Sequence, residues 1–166
     1  FHLPNTFILI AIAFLYPLVS DDETTPKTLK EGWRMNGLHL IADMYRCTCT
    51  ADLLCDQDKL EKLCVDACMN SGLTPLGTYF HQFMDENGNK AGVTGNVVLA
   101  ESHLAIHTWP ENNGVTLDVY VCNYSRDNSD RARQTFNEVA KALSPGEMAS
   151  HEVIRGEISA AGAAQS

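Results

Sequence analysis

Hydrophobic and polar positions alternate with a period of two over residues 38–45 (LHLIADMY), placing Leu38, Leu40, Ala42 and Met44 on one face of a predicted strand. The alternation returns over 115–122 (VTLDVYVC), where Val115, Leu117, Val119 and Val121 oppose Thr116, Asp118, Tyr120 and Cys122. Between these strands the period changes. Leu60, Leu63, Cys64, Ala67 and Cys68 repeat at three and four residues, which predicts a helix over about 56–70 with Gly72 at its C-terminal cap. Residues 73–83 (LTPLGTYFHQF) return to strand character despite Pro75 near their start. The turn-rich stretch 85–95 (DENGNKAGVTG) reads as a loop, and 96–109 is strand-like on both sides of Glu101. Ala132, Phe136, Val139, Ala140 and Leu143 form the stripe of a second helix, 126–143, which Pro145 and Gly146 end. Residues 151–158 supply a last strand, and no internal repeat is present. Loosely alternating strands and helices predict an α+β fold, a two-layer sandwich in which helices pack on one face of a mainly antiparallel sheet.

The same pattern sets the boundaries. Residues 1–20 are hydrophobic, 21–36 form a polar linker with Pro26 and Gly32, 37–158 form the domain, and 159–166 are an Ala/Gly tail expected to fray. The apolar run FILIAIAFLYPLV (7–19) is shorter than the roughly 20 residues that span a bilayer. Its length suits the core of an export signal, but the preceding FHLPNT has no Lys or Arg and Pro17 interrupts the run. Three readings follow: an extension foreign to the domain, a loose membrane anchor, or an export signal. Membrane association is expected only under the second.

A chain of 166 residues, 45% hydrophobic and 20% charged, has the composition of one ordinary globular domain. Its net charge of −9 leaves no basic stripe to displace counterions, which excludes nucleic acid as a partner, whereas a cationic substrate suits the field. The cysteines, Cys47, Cys49, Cys55, Cys64, Cys68 and Cys122, lack the regular spacing of a disulfide framework. C-x-C with C-x3-C is not a common zinc spacing, so no metal is expected, and reduced thiols point to a cytoplasmic protein.

The chemistry concentrates in residues 101–111, ESHLAIHTWPE, which pack a hydroxyl, two imidazoles, an aromatic ring and two carboxylates into one short run. A hydrolase built on Ser102 would want a G-x-S-x-G elbow, and none is present. A metalloenzyme built on His103 and His107 would want the Glu of H-E-x-x-H and a helix, whereas Pro110 disfavours one. Self-processing at the serine is the third possibility.

ESHLAIHTWPE closely resembles the processing segment of prokaryotic S-adenosylmethionine decarboxylases, and the resemblance runs from about Gly37 to Ile158 through LHLIADMY, FHQF (80–83), GVTG (92–95) and LDVYVC (117–122). DENGNK (85–90) is a short insertion-like departure from it, and the hydrophobic N-terminus lies outside it. The resemblance implies cleavage between Glu101 and Ser102 and conversion of Ser102 into a covalent pyruvoyl cofactor. Ser102 Oγ would attack the Glu101 carbonyl, turning amide into ester. Loss of the Ser102 α-proton would expel the Glu101 carboxylate, and the residue left behind would hydrolyse to pyruvoyl with release of ammonia. His107 is implied as the proton-transfer group in processing, and Thr94 as the hydroxyl that assists the cyclic intermediate. The pyruvoyl carbonyl would form a Schiff base with S-adenosylmethionine, and Cys122 would return a proton after carbon dioxide leaves. Phe83 would stack on adenine, Glu111 would hold the ribose hydroxyls, and Leu104 and Trp109 would line the substrate site. His39, His81 and His103 are read as structural.

A homodimer of cleaved protomers with shared sites is also implied. Strand parity is compatible with sharing, because positions 102 and 107 on one continuous strand face opposite sides. The expected product is the aminopropyl donor for spermidine synthesis. The alternatives are decarboxylation of arginine or ornithine on the same fold, and a catalytically inactive partner subunit.

Overall fold

Six strands form one sheet in the order β2-β3-β4-β5-β1-β6, and every neighbouring pair is antiparallel. The strands are β1 (Gly37–Tyr45), β2 (Pro75–Met84), β3 (Lys90–Leu99), β4 (Ser102–Trp109), β5 (Gly114–Cys122) and β6 (Glu147–Arg155). Helices α1 (Ala51–Cys55), α2 (Gln57–Asn70) and α3 (Ser129–Leu143) join them, with a 3-10 turn at Pro110–Asn112. The architecture comes from a computed structural model, which describes residues 36–124 and 126–156. The N-terminal hydrophobic segment, all but Asn36 of the linker, and the C-terminal tail lie outside the described residues. No helix among the described residues is long and apolar enough to cross a membrane.

The two faces of the sheet differ as the alternation requires. Leu38, Leu40, Val97, Leu104, Ile106, Leu117 and Val119 are buried together with Leu60, Cys64, Phe136 and Val139 of the helices. Burying a Val, Leu or Ile side chain contributes roughly 1.5–3 kcal/mol, so this layer is the main source of stability. Burial pushes the Cys68 thiol up to about 12, with Glu138 adding to it, and raises Cys64 as well. These two cysteines are core residues, as their helical spacing predicts. The other face receives no helix among the described residues, and its side chains form the rows described below.

Helix α2 starts where Asp56 accepts hydrogen bonds from the Asp58 and Lys59 amides, at 3.1 and 3.2 Å. It stops at Gly72, whose φ of 81° lets the Gly72 amide donate to Met69 O and the Leu73 amide to Cys68 O. The expected helix and its cap are therefore both present.

Three elements depart from the sequence reading. Strand β3 begins at Lys90, inside the stretch read as loop. The glycines responsible serve close packing rather than turns: a Cβ at Gly92 would lie 2.3 Å from Thr108 O, and one at Gly95 would lie 2.1 Å from the Phe80 ring. Helix α3 begins at Ser129, since residues 123, 124 and 126–128 are not helical and buried Asn128 pins them. The Asn128 backbone amide donates to Asn123 Oδ1 at 2.9 Å, and its side chain donates to Cys122 O at 3.2 Å and to Arg126 O at 3.4 Å. Strand β6 spans Glu147–Arg155 rather than 151–158, because its pairing with β1 starts opposite Tyr45. It is an edge strand, exposed throughout, so burial leaves little mark on its sequence.

Candidate active site

Ala100 and Glu101 make the two-residue turn between β3 and β4, and the pair Leu99↔Ser102 closes it. Ser102 has a φ of 153°, outside the range that residues other than glycine favour. Such backbone costs of order 1–3 kcal/mol and persists only where its surroundings hold it. Here the hold is visible: the Cys122 amide donates to Glu101 O at 2.7 Å, and the Ala100 amide donates to Thr74 O at 3.0 Å. The Glu101–Ser102 peptide thus sits at a tight turn with its carbonyl already engaged by a donor.

A cavity of about 420 Å³ opens there, lined by Leu99, Ala100, Glu101, Ser102, Cys122 and Tyr124. The register Ser102↔Val121 brings the end of β5, and with it Cys122, beside the turn. The loop pinned by Asn128 supplies Tyr124 to the cavity wall and Arg126 to Glu101, with Nη2 3.5 Å from Oε1. Sequence reasoning missed both residues. Arg126 was absorbed into the start of the second helix, and Tyr124 follows the last alternating residue with no motif around it.

The other expected residues assemble elsewhere. Thr94 pairs with His107 across β3 and β4, and Thr94 Oγ1 is 2.6 Å from His107 Nδ1. These two line a second cavity of about 400 Å³ with Phe83, Trp109 and Glu111. His81 meets the Phe83 ring edge-on at 4.9 Å, and the 3-10 turn carries Glu111. Within one protomer the expected residues therefore form two groups. Ser102, Glu101 and Cys122 lie at one end of β4, and Thr94, His107, Phe83, Trp109 and Glu111 at the other. Five residues of strand separate Ser102 from His107, roughly 16 Å.

Leu104 belongs to neither group. It was expected against the substrate, but it has no exposure and sits in the core. Alternation explains the correction: its neighbours His103 and Ala105 point to the helix-free face, so Leu104 points to the helices.

The helix-free face carries rows of polar side chains. One row, read from the pairing, is His81, Thr94, His107, Thr116 and Asp43. Another joins His103, Tyr120 and His39, where His39 Nε2 is 3.2 Å from Asp118 Oδ1 and the Arg155 guanidinium lies 4.2 Å from the centre of the Tyr120 ring. Burial, and after it the neighbouring His39, hold the His103 imidazole below its ordinary value. The folded chain therefore resists a proton that the unfolded chain accepts near pH 6.5. The resulting stability is complete above about pH 6.5 and is lost as pH falls through the depressed folded value. Between pH 7.5 and 5 the wild-type melting temperature should fall further than that of His103→Gln, by roughly a few degrees. Equal falls in the two proteins, measured by thermal denaturation, would show that His103 does not carry this dependence.

Comparison with known proteins is consistent across sequence and structure. A family described as "S-adenosylmethionine decarboxylase" matches residues 38–156. An S-adenosylmethionine decarboxylase proenzyme of Syntrophomonas wolfei is 38% identical over 122 residues, covering 72% of this chain and 86% of the relative. One from Picrophilus torridus is 36% identical over 120 residues, covering 72% and 84%. The crystal structure of the adenosylmethionine decarboxylase from Aquifex aeolicus superposes with a TM-score of 0.65 at 30% identity, covering 77% of this chain and 97% of that one.

Proposed function

The chain belongs to the S-adenosylmethionine decarboxylase family, whose activity it carries, and we propose that the reaction runs on a pyruvoyl group cut from its own Ser102. The observation that carries this reading is the scissile peptide itself. Ser102 is held at a φ of 153° while the Cys122 amide donates to the Glu101 carbonyl oxygen at 2.7 Å. When Ser102 Oγ adds to that carbonyl, negative charge develops on the oxygen the amide already touches. A donor aimed at developing charge lowers the barrier without further reorganisation.

The residues present fit a pyruvoyl group at position 102. It would start β4 at the mouth of the larger cavity, beside the Cys122 thiol and Tyr124. Once formed, it supplies a carbonyl that holds the substrate amine and takes up the electrons released with carbon dioxide. Cys122 returns a proton to the substrate carbon. Phe83 and Trp109 offer aromatic faces for adenine and, at roughly 0.5–2 kcal/mol, for a sulfonium cation. Glu111 offers a carboxylate to the ribose hydroxyls. Matched relatives named for S-adenosylmethionine favour it over arginine or ornithine. Supply of an aminopropyl donor for spermidine synthesis follows from that substrate, and six unpaired thiols support a cytoplasmic location.

The division of the expected residues between two ends of β4 supports a homodimer whose sites combine Ser102 and Cys122 of one protomer with the partner's His107, Thr94, Phe83 and Glu111. The helix-free face also exposes Tyr79, Phe83, Val98, Trp109 and Val153 among its polar rows, which suits a surface covered by a second copy. Light scattering or sedimentation should report twice the chain mass.

Cys122→Ala tests the thiol separately. The variant should cleave itself, turn over at least tenfold more slowly, and lose activity with each round as misdirected protons leave alanine at position 102. Mass spectrometry of the small fragment during turnover would show that change. A wild-type rate with no change of mass would reduce Cys122 to a packing residue.

A further inference from the structure

The Glu101 side chain is a buried carboxylate without a full complement of partners. It is 11% exposed; Oε1 reaches only Arg126, at 3.5 Å, and Oε2 has no hydrogen-bond partner among the described residues. Leaving such an oxygen buried and unpaired is costly, and native structures that do so usually use the group. Its position is specific: Glu101 donates the scissile carbonyl, Ser102 the attacking hydroxyl, and both residues line one cavity. Arg126 is half-exposed, and Asn128 donates to its backbone carbonyl at 3.4 Å, which fixes the backbone from which the guanidinium reaches Glu101.

We propose that the Glu101 carboxylate, paired with Arg126, takes the hydroxyl proton of Ser102 as Oγ adds to the Glu101 carbonyl and hands it to the departing Ser102 nitrogen. The inference rests on the self-cleavage reading above and adds a base for its first step. The balance closes without another reagent. The Oγ–H bond breaks and a carbon–Oγ bond forms; the carbon–nitrogen bond then breaks and an N–H bond forms. Glu101 ends as it began, and the amide has become an ester with a free amine. Glu101 and Ser102 line the same cavity, and the step requires Oε2, which has no other partner among the described residues, to come within hydrogen-bond reach of Oγ as it approaches the carbonyl. The partner's His107 remains available for the later removal of the Ser102 α-proton.

The titratable groups that line the cavity with Glu101 are the Cys122 thiol at the end of β5 and Tyr124 just after it, and Arg126 reaches Glu101 Oε1. Asp127 accepts from the Ser129 amide at 2.9 Å and so serves the start of α3.

The test follows cleavage of freshly made full-length chain from pH 5 to 9 with hydroxylamine present. Hydroxylamine splits the ester as it forms, so the rate reports the acyl shift and does not wait for elimination. Glu101→Gln should cleave about 100-fold more slowly, within the range typical of a lost general base. Glu101→Asp should recover part of the rate. Arg126→Ala should cleave several-fold more slowly, and Arg126→Lys should recover part of that loss; an exposed arginine can be changed without risk to the fold. Glu101→Gln cleaving at the wild-type rate with the wild-type pH profile, while Ser102→Ala stays intact, would overturn the role of the carboxylate alone. An unchanged cleavage rate in Arg126→Ala would overturn its pairing role. Wild-type chain that stays intact would overturn self-cleavage, and this inference with it.

Discussion

Ser102→Ala should remain one full-length chain without decarboxylase activity, whereas wild-type chain should resolve into residues 1–101 and 102–166. The expected loss is complete because both steps of the proposed processing need the hydroxyl. Oγ would be the nucleophile that turns the Glu101–Ser102 amide into an ester, and also the atom that departs with the Glu101 carboxylate in the elimination. Alanine offers neither. The substitution is also a fair test of chemistry over folding. Alanine keeps the Cβ, so the positive φ at position 102 is strained equally in both proteins. The donor from the Cys122 amide to Glu101 O is backbone and survives as well. Ser102→Cys, which keeps a β-leaving atom, should retain measurable cleavage. Intact mass, with labelling of the small fragment by a carbonyl reagent, checks all three proteins. Cleavage of Ser102→Ala at the wild-type rate, or an intact wild-type chain that still decarboxylates, would end the pyruvoyl reading.

Most of this fold was legible because alternation is a direct record of burial. Strands β1 and β5 each bury one face, and their sequences state which residues do so. Strand β6 buries neither face and was misplaced by four residues at its start. Strand β3 was partly hidden because Gly92 and Gly95 are turn residues by composition and packing residues in fact. Helix α1, only five residues long, carries too little periodicity to be seen. The site was legible in a different way. The run ESHLAIHTWPE and the positions of Thr94, Phe83 and Cys122 are linear facts that a family resemblance can read. Which of them meet is a fact of register. Thr94 faces His107 through the β3–β4 pairing, and Ser102 meets Cys122 through the β4–β5 pairing. Tyr124 reaches the first cavity, and Arg126 reaches Glu101, on a stretch that buried Asn128 ties to Cys122 O and Arg126 O. No local pattern announces that contact. Leu104 went wrong for the opposite reason: a motif was carried over whole, although strand parity divides it between two faces.

That division leads to the second large effect. Neither Ser102→Ala nor His107→Ala should yield active enzyme alone, yet the two chains produced together should. In the proposed two-fold dimer each site would take Ser102 from one protomer and the partner's His107. A mixed dimer then has one site with both side chains intact and one with neither. Random pairing of equal amounts makes half of the dimers mixed, so about a quarter of all sites should be competent, against essentially none in either parent. The alternative is a site completed within one protomer, which would require Ser102 and His107 to approach across roughly 16 Å of continuous β4. Paired on both sides along its length, β4 has no freedom to fold back on itself. A mixed dimer isolated through two different affinity tags separates the cases. Recovery of cleaved chain in which only the His107→Ala partner carries the new N-terminus identifies the shared site, since that chain retains Ser102 and borrows the imidazole. Absence of any cleavage in verified mixed dimers would assign the two cavities to separate tasks and leave His107 outside the processing chemistry.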